Sequence, residues 1–388
     1  MSLWRRRGVT AAQDLIPGRT AAPRGLPLVT ADSALRHSGV WAAIRLRADL
    51  ISTMPVDTYR MVGDVQVPLP NAPVLVQPGG PEVDIIEWLY SSQVDLDRCG
   101  NAIGLITERT SLGLPLRIDL QPIAECSVRT LPGGEVRYRI CGKDYPRSQV
   151  WHERQFTVSG LPVGLPPVAY AAWSIGQYQS AAQFAAEWYG NGGTPKASLK
   201  NTVRPNVSQE EAETVKAKFK AATQGGDLFV TGREWEYKPI QAEAVGAEWL
   251  AAQEYGIADV ARFFGVPAEL IGGAAGGSSL TYANVTQRNL DFLIMHLGPS
   301  VVRRERSLSQ LLPRPRFVKL NPSALLRMDD ETRAAVIKTR LDSRTLTNSE
   351  ARALENRPPL TDADLAEIAK IYGPPKVSPA PAAAPVNG

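Results

Sequence analysis

Chemistry in this chain would have to start from very few reactive side chains. Only three histidines (His37, His152, His296) and three cysteines (Cys99, Cys126, Cys141) occur in 388 residues. The histidines lie far apart, so no local metal motif exists. The cysteine count is odd and no pair has Cys-x-x-Cys spacing, so neither a disulfide framework nor a structural zinc site is expected. The thiols are expected reduced and buried. His152-Glu153 lacks the second histidine of a zinc-protease helix, and no Gly-x-Ser-x-Gly elbow occurs. The phosphate-cradling pattern Gly-x4-Gly-Lys-Ser/Thr is missing. Its nearest stretch, Gly190–Ser198, has Pro195 before Lys196 and Ala197 where a hydroxyl is needed. Asp329-Asp330 reads as a helix cap with a charged first turn. General acid–base chemistry would have to rest on carboxylates placed by the fold. The expectation is no catalytic residue, no cofactor and no metal.

Three other features carry information. Gly272, Gly273, Gly276 and Gly277 with Ser278 and Ser279 make an uncharged run with four glycines in eight residues, free of bulky side chains. Gly298-Pro299 falls inside a long helical pattern, where proline removes a backbone donor and clashes one turn back, so a kink is expected. Arg303, Arg304 and Arg306, with Arg314, Arg316 and Lys319, make a basic cluster. It reads either as a contact for DNA or acidic neighbours or as a solvated or inter-subunit face.

The elements that would position these features follow from periodicity. A helix is expected over Ser33–Ser52, with Val40, Trp41, Ile44, Ala48 and Ile51 on one face and Met54-Pro55 ending it. Val56–Val62 and Val65–Leu69 read as a hairpin turning at Gly63-Asp64. A second helix is expected over Asp84–Leu96, capped by Asp84. Strands are expected at Asn101–Thr107, Leu116–Ile123, Ser127–Leu131 and Val136–Ile140. Tyr170–Tyr189 is helical and rich in small residues, which lets neighbouring helices approach. Ser208 and Glu211 form a capping box ahead of a helix to Ala222, followed by strands at Leu228–Thr231 and Trp235–Ile240. Further helices are expected at Ala247–Phe264, Thr281–Leu312, Asp329–Arg340 and Asn348–Glu355. Residues 1–29 read as a flexible basic arm and the Pro/Ala-rich 374–388 as a disordered tail. The net charge of +4, from 43 basic and 39 acidic residues, is too mild for a dedicated nucleic-acid binder. Neither a signal peptide nor a membrane span is expected.

Six strings, in order, resemble the portal proteins of tailed phages with HK97-like capsids. They are Gly39–Pro55 leading into Tyr59-Arg60, then Trp151-His152-Glu153-Arg154, then Phe184–Gly193. Ile257–Pro267 follows, ending in Phe-Gly-Val-Pro. Tyr282–Gln287 with Leu297-Gly298-Pro299 is the fifth, and Leu325–Asp329 with Leu346–Arg352 and Glu355–Pro359 the last. The resemblance implies an α+β portal fold with a mixed α/β wing (30–167), stem helices (168–190 and 241–269) and a small α/β clip (191–240). A channel loop (270–281), a long kinked helix returning to the wing (282–324) and a helical crown (325–373) complete it. It also implies a homo-dodecameric ring at one capsid vertex, through which double-stranded DNA passes. The partners it implies are the major capsid protein, the large terminase and head-completion or adaptor proteins, with no membrane involved. A neutral Gly/Ser loop suits a constriction, because tight phosphate binding would make passage salt-dependent. The competing readings are a tail or baseplate structural protein, the portal of a phage-derived gene-transfer particle, and a nucleic-acid or cell-wall hydrolase.

Overall fold

The first helix starts later than its periodicity suggests, for a local reason. Ser33–Arg36 forms a tight 3-10 turn, and helix α1 runs Ser38–Ser52. His37 sits between them in extended conformation, its Nδ1 accepting from the Gly39 N–H at 3.1 Å, so the histidine is the cap. The computed structural model describes residues 26–190, 197–204, 206–225, 234–239, 247–272, 282–322, 330–355 and 357–372. The chain divides into two compact units, Met1–Leu325 and Leu326–Gly388.

In the first unit, α1 leads into the hairpin of β1 (Val56–Val62) and β2 (Val65–Leu69), with Val62 opposite Val65 across Gly63-Asp64. Helix α2 (Ile85–Cys99) begins where the Asp84 carboxylate accepts from the Glu87 N–H at 2.8 Å. Gly100 closes it at φ 70°, and a β-carbon there would lie 2.1 Å from the Leu165 carbonyl oxygen, so only glycine fits. Strands β3 (Asn101–Arg109), β4 (Pro115–Leu120), β5 (Cys126–Thr130), β6 (Val136–Ile140), β7 (Lys143–Pro146) and β8 (Val150–Arg154) follow. The four-residue β7 is too short to show an alternation pattern and was not anticipated.

Next come α3 (Pro167–Tyr170), α4 (Ala172–Gly190), β9 (Ala197–Asn201), α5 (Gln209–Gly225), β10 (Trp235–Pro239) and α6 (Ala247–Phe264). The expected cap of α5 is present in one half: Ser208 Oγ accepts from the Glu211 N–H at 3.3 Å. Strand β9, also unanticipated, pairs antiparallel with β10; the strand expected at Leu228–Thr231 lies outside the described residues. Helix α7 (Tyr282–Asp291) runs through a π-helical segment, Phe292–Leu297, into α8 (Gly298–Ser309), and β11 (Arg316–Leu320) follows. Among the described residues every sheet is antiparallel, in orders β11-β1-β2, β4-β3-β8, β5-β6-β7 and β10-β9. Small antiparallel sheets beside separate helices make the fold α+β.

Burial explains how the pieces hold. Ile44, Val168, Ile175, Val260, Phe264 and Phe292 belong to one apolar cluster, which joins α1 to α3, α4 and α6. A second holds Trp88, Trp151, Leu308, Leu312 and Val318; Trp88 Nε1 donates to the Ile118 carbonyl at 3.0 Å, and the two indoles lie 4.7 Å apart. Cys99 and Cys126 are buried in a third, and burial pushes both thiols up to about 12. Cys141 is exposed, against the expectation of three buried thiols, because it follows the last residue of β6 in left-handed conformation at φ 47°.

The second unit contains α9 (Asp330–Asp342), α10 (Asn348–Leu354) and α11 (Asp362–Tyr372). Helix α10 starts from a capping box in which Thr347 Oγ1 accepts from the Glu350 N–H at 3.3 Å. The Glu350 carboxylate accepts from the Thr347 N–H at 2.8 Å. Thr361 and Asp364 repeat that pairing ahead of α11, a helix the sequence reading did not foresee.

Candidate functional site

The two sequence features on the long helix, Gly298-Pro299 and the arginines, meet at one joint. The irregularity takes the form of a π-helical run just before the proline. Pro299 has no N–H, and its ring would clash with the carbonyl of residue 295 in a regular helix. Widening the preceding turn relieves both conflicts. A β-carbon on Gly298 would lie 3.3 Å from the Leu293 carbonyl oxygen, five residues back, so the glycine keeps that wide turn uncrowded.

Immediately after this turn, α8 is held by buried charge. Arg47 on α1 donates through Nε to both carboxylate oxygens of Asp97 at 3.1 Å, and through Nη2 to Ser300 Oγ at 3.0 Å. Asp97 also accepts from Gln93 Nε2 at 3.0 Å and Gln155 Nε2 at 3.4 Å. Arg304 donates through Nη1 to Ser92 Oγ at 3.0 Å and Glu153 at 3.2 Å, and through Nη2 to Gln93 Oε1 at 2.9 Å. Gln93 therefore links the two ion pairs. One residue on, buried Glu305 accepts from Lys319 Nζ at 2.8 Å and from the Leu320 N–H at 3.0 Å, fastening β11.

This corrects the expected basic contact at Arg304. Arg304 is 0% exposed and cannot reach DNA or a neighbour. Its place between Val301 and Leu308 on the buried face forces it inward, where Glu153 neutralises it. Lys319 is exposed and pairs with Glu305. Arg303 and Arg306 are exposed, and Arg303 donates to Ser300 Oγ at 3.2 Å. Arg314 and Arg316 are exposed as well. Of the glycine-rich loop, Gly272 is described: it ends the 3-10 turn Ala268–Ile271 at φ 84°. Gly273, Gly276, Gly277, Ser278 and Ser279 lie outside the described residues.

The histidine of the fourth-to-last strand is a structural bolt. Asn101 Nδ2 donates to the carbonyls of Cys99 and Gly164, which leaves its Oδ1 as an acceptor for the Gly164 N–H at 2.7 Å. His152 Nε2, 3.1 Å from that oxygen, must then carry the proton, so Nδ1 accepts from the Tyr138 hydroxyl at 3.0 Å. Arg147 donates in turn to that hydroxyl at 2.6 Å. Burial, then the nearby Arg147 and Arg154, lowers His152 to about 3, so it stays neutral and fixes β6 against β3 and β8. His37 is also fully buried and lowered by burial to about 4, and it stacks on Tyr178 of α4 at 3.8 Å.

The sequence reading missed Arg47, Gln93, Asp97 and Glu153 as a set. One signal existed: Arg47 lies three residues after Ile44 and four before Ile51, so a charge occupies the apolar face of α1. Among the described residues, no group of three or more His, Cys, Asp or Glu could hold a metal, and no helix is long and apolar enough to cross a membrane. The arrangement clamps a helix and shows no nucleophile–base pairing.

Comparison with known proteins gives this clamp its context. The family model described as phage portal protein matches residues 38–356. The portal protein of Enterobacteria phage HK97 is 28% identical over 358 residues, covering 88% of this chain and 83% of that one. The probable portal protein of Streptomyces phage phiC31 is 27% identical over 368 residues, covering 86% and 77%. Among solved structures, an HK97-family phage portal protein from Corynebacterium diphtheriae has a TM-score of 0.60 at 17% identity, covering 78% of this chain and 99% of that one. A chain in the neck of the native gene transfer agent particle, computed with C12 symmetry, has a TM-score of 0.55 at 17% identity, covering 89% and 97%. With the family model spanning α1 to the end of α10, this chain belongs to the phage portal protein family.

Proposed function

We propose that twelve copies of this chain form a ring at one capsid vertex, through whose axis double-stranded DNA enters during packaging and leaves during ejection. The family match over residues 38–356 carries this reading. The C12 neck of the gene transfer agent, built from a chain of similar fold, supports the stoichiometry. In this reading residues 30–167 are the wing and contact the major capsid protein. Helices α4 and α6 lie in the stem segments, 168–190 and 241–269. The β9–α5–β10 segment, within 191–240, is the clip that meets the large terminase first and head-completion proteins afterwards. Residues 270–281 line the channel, 282–324 return from it to the wing, and 325–373 form the crown. The chain works as a structural conduit assembled in the host cytoplasm and carried in the virion; the motor's ATP hydrolysis belongs to its partner.

The buried clamp fits this mechanical role. Load applied to the 270–281 loop passes through α7 to the π-helical turn, and the Arg47–Asp97 and Arg304–Glu153 pairs anchor the far side. Negative-stain imaging of purified protein should give twelve-fold rings with an open axial channel; a compact monomer would sink the reading. Replacing Gly276 and Gly277 with proline should leave rings intact and reduce packaging or retention of DNA. Particles filled normally by that variant would remove the channel role from the loop.

A further inference from the structure

The helix that carries the joint is apolar on two opposite sides. Phe292, Leu297, Val301 and Leu308 face the core. Leu290, Ile294, Met295 and Val302 form a ridge on the other face, with Met295 67% exposed. Large apolar side chains grouped on an exposed helix face mark an interaction surface. The same unit also carries a recess of opposite shape. Phe156, Leu165, Pro167, Tyr170 and Phe263 line an open cavity of about 210 Å³. Phe156 holds its ring 46% exposed from a left-handed backbone at φ 51°, and Tyr170 is 60% exposed. A bulky residue rarely adopts that conformation, and displaying an aromatic ring from it marks an interaction surface.

Both surfaces stand open within a single copy, so the ridge does not fill its own recess. Ridge and recess differ, so their pairing is head-to-tail, the arrangement that closes into a ring. We infer that the Leu290–Val302 ridge of one copy seats in the Phe156–Tyr170–Phe263 recess of the next copy. This rests on the ring reading above and names the surfaces that would build it. Met295 suits the role, because a flexible thioether packs well against aromatic edges. The interface would then cover the helix whose other face is clamped by Arg304, making the joint and the ring contact one structure.

The test uses the full chain and mass photometry at fixed concentration. Wild-type protein forms rings. A ridge variant, I294E/M295E, and a recess variant, F156E/Y170E, each stay monomeric with unchanged far-UV circular dichroism. Mixed together they form a one-to-one dimer and no ring, since each supplies the half the other has lost. Rings from either variant alone, or a mixture that stays monomeric, would overturn the pairing. Met295→Ser and Tyr170→Ser, single changes at side chains already mostly in water, keep the fold and raise the assembly midpoint by about 10-fold or more; an unshifted midpoint for both overturns it as well. A wild-type monomer would instead bring down the ring reading, and the pairing with it.

Discussion

Replacing Arg304 with methionine isolates the buried clamp. The substitution keeps much of the side-chain volume and removes the charge that faces Glu153, itself 7% exposed. It also strips donors from Ser92 Oγ and Gln93 Oε1. Removing one partner of a buried pair costs about 3–5 kcal/mol, because the other charge stays behind uncompensated. Arg306 lies two residues away on the exposed face, where truncation to alanine should change stability by about 0.5 kcal/mol or less. Urea unfolding at one protein concentration gives both numbers, the concentration held constant because assembly shifts apparent stability. Arg304→Lys should fail to rescue, since a single ammonium cannot span the three acceptors that the guanidinium fork reaches. Adding Glu153→Gln to Arg304→Met should recover a substantial part of the loss, because no buried charge remains unpaired. If Arg304→Met and Arg306→Ala cost the same, or the second substitution recovers nothing, the clamp contributes no pairing energy and the reasoning is wrong.

Two further outcomes follow from the same geometry. His152 and His37 are depressed in the folded chain, to about 3 and about 4, below the ordinary value near 6.5. The unfolded chain therefore binds more protons between those limits. The stability these residues contribute is complete above pH 6.5 and is lost as pH falls toward 3, with a slope of at most ~1.4 kcal/mol per pH unit per histidine. Denaturation midpoints measured from pH 7.5 to 4.5 should fall in wild type and fall less in His152→Asn; equal slopes would refute the assignment. Gly100→Ala should prevent stable folding, since the new methyl would meet the Leu165 carbonyl oxygen at 2.1 Å in a backbone of φ 70°, whereas Gly63→Ala, with nothing within 4 Å, should cost about 1 kcal/mol by thermal unfolding.

The sequence by itself determined those elements whose signals are local. The 3.6-residue period delimits α6, Ala247–Phe264, and Gly63-Asp64 sets the β1–β2 turn. Asp84 starts α2. Each depends on neighbours within about four positions, so a linear reading finds it. The six ordered strings pointed to the family that the residue 38–356 match then established. Tertiary structure alone decided the rest. Strand β11 exists because β1 offers it an edge, with Val56 opposite Leu320, and nothing near residue 316 announces that partner. Arg304 looks like one of a run of surface arginines until Glu153, Ser92 and Gln93 arrive from distant segments. Burial of a charge depends on what the fold brings opposite it, and that pairing has no period, cap or turn from which to be read.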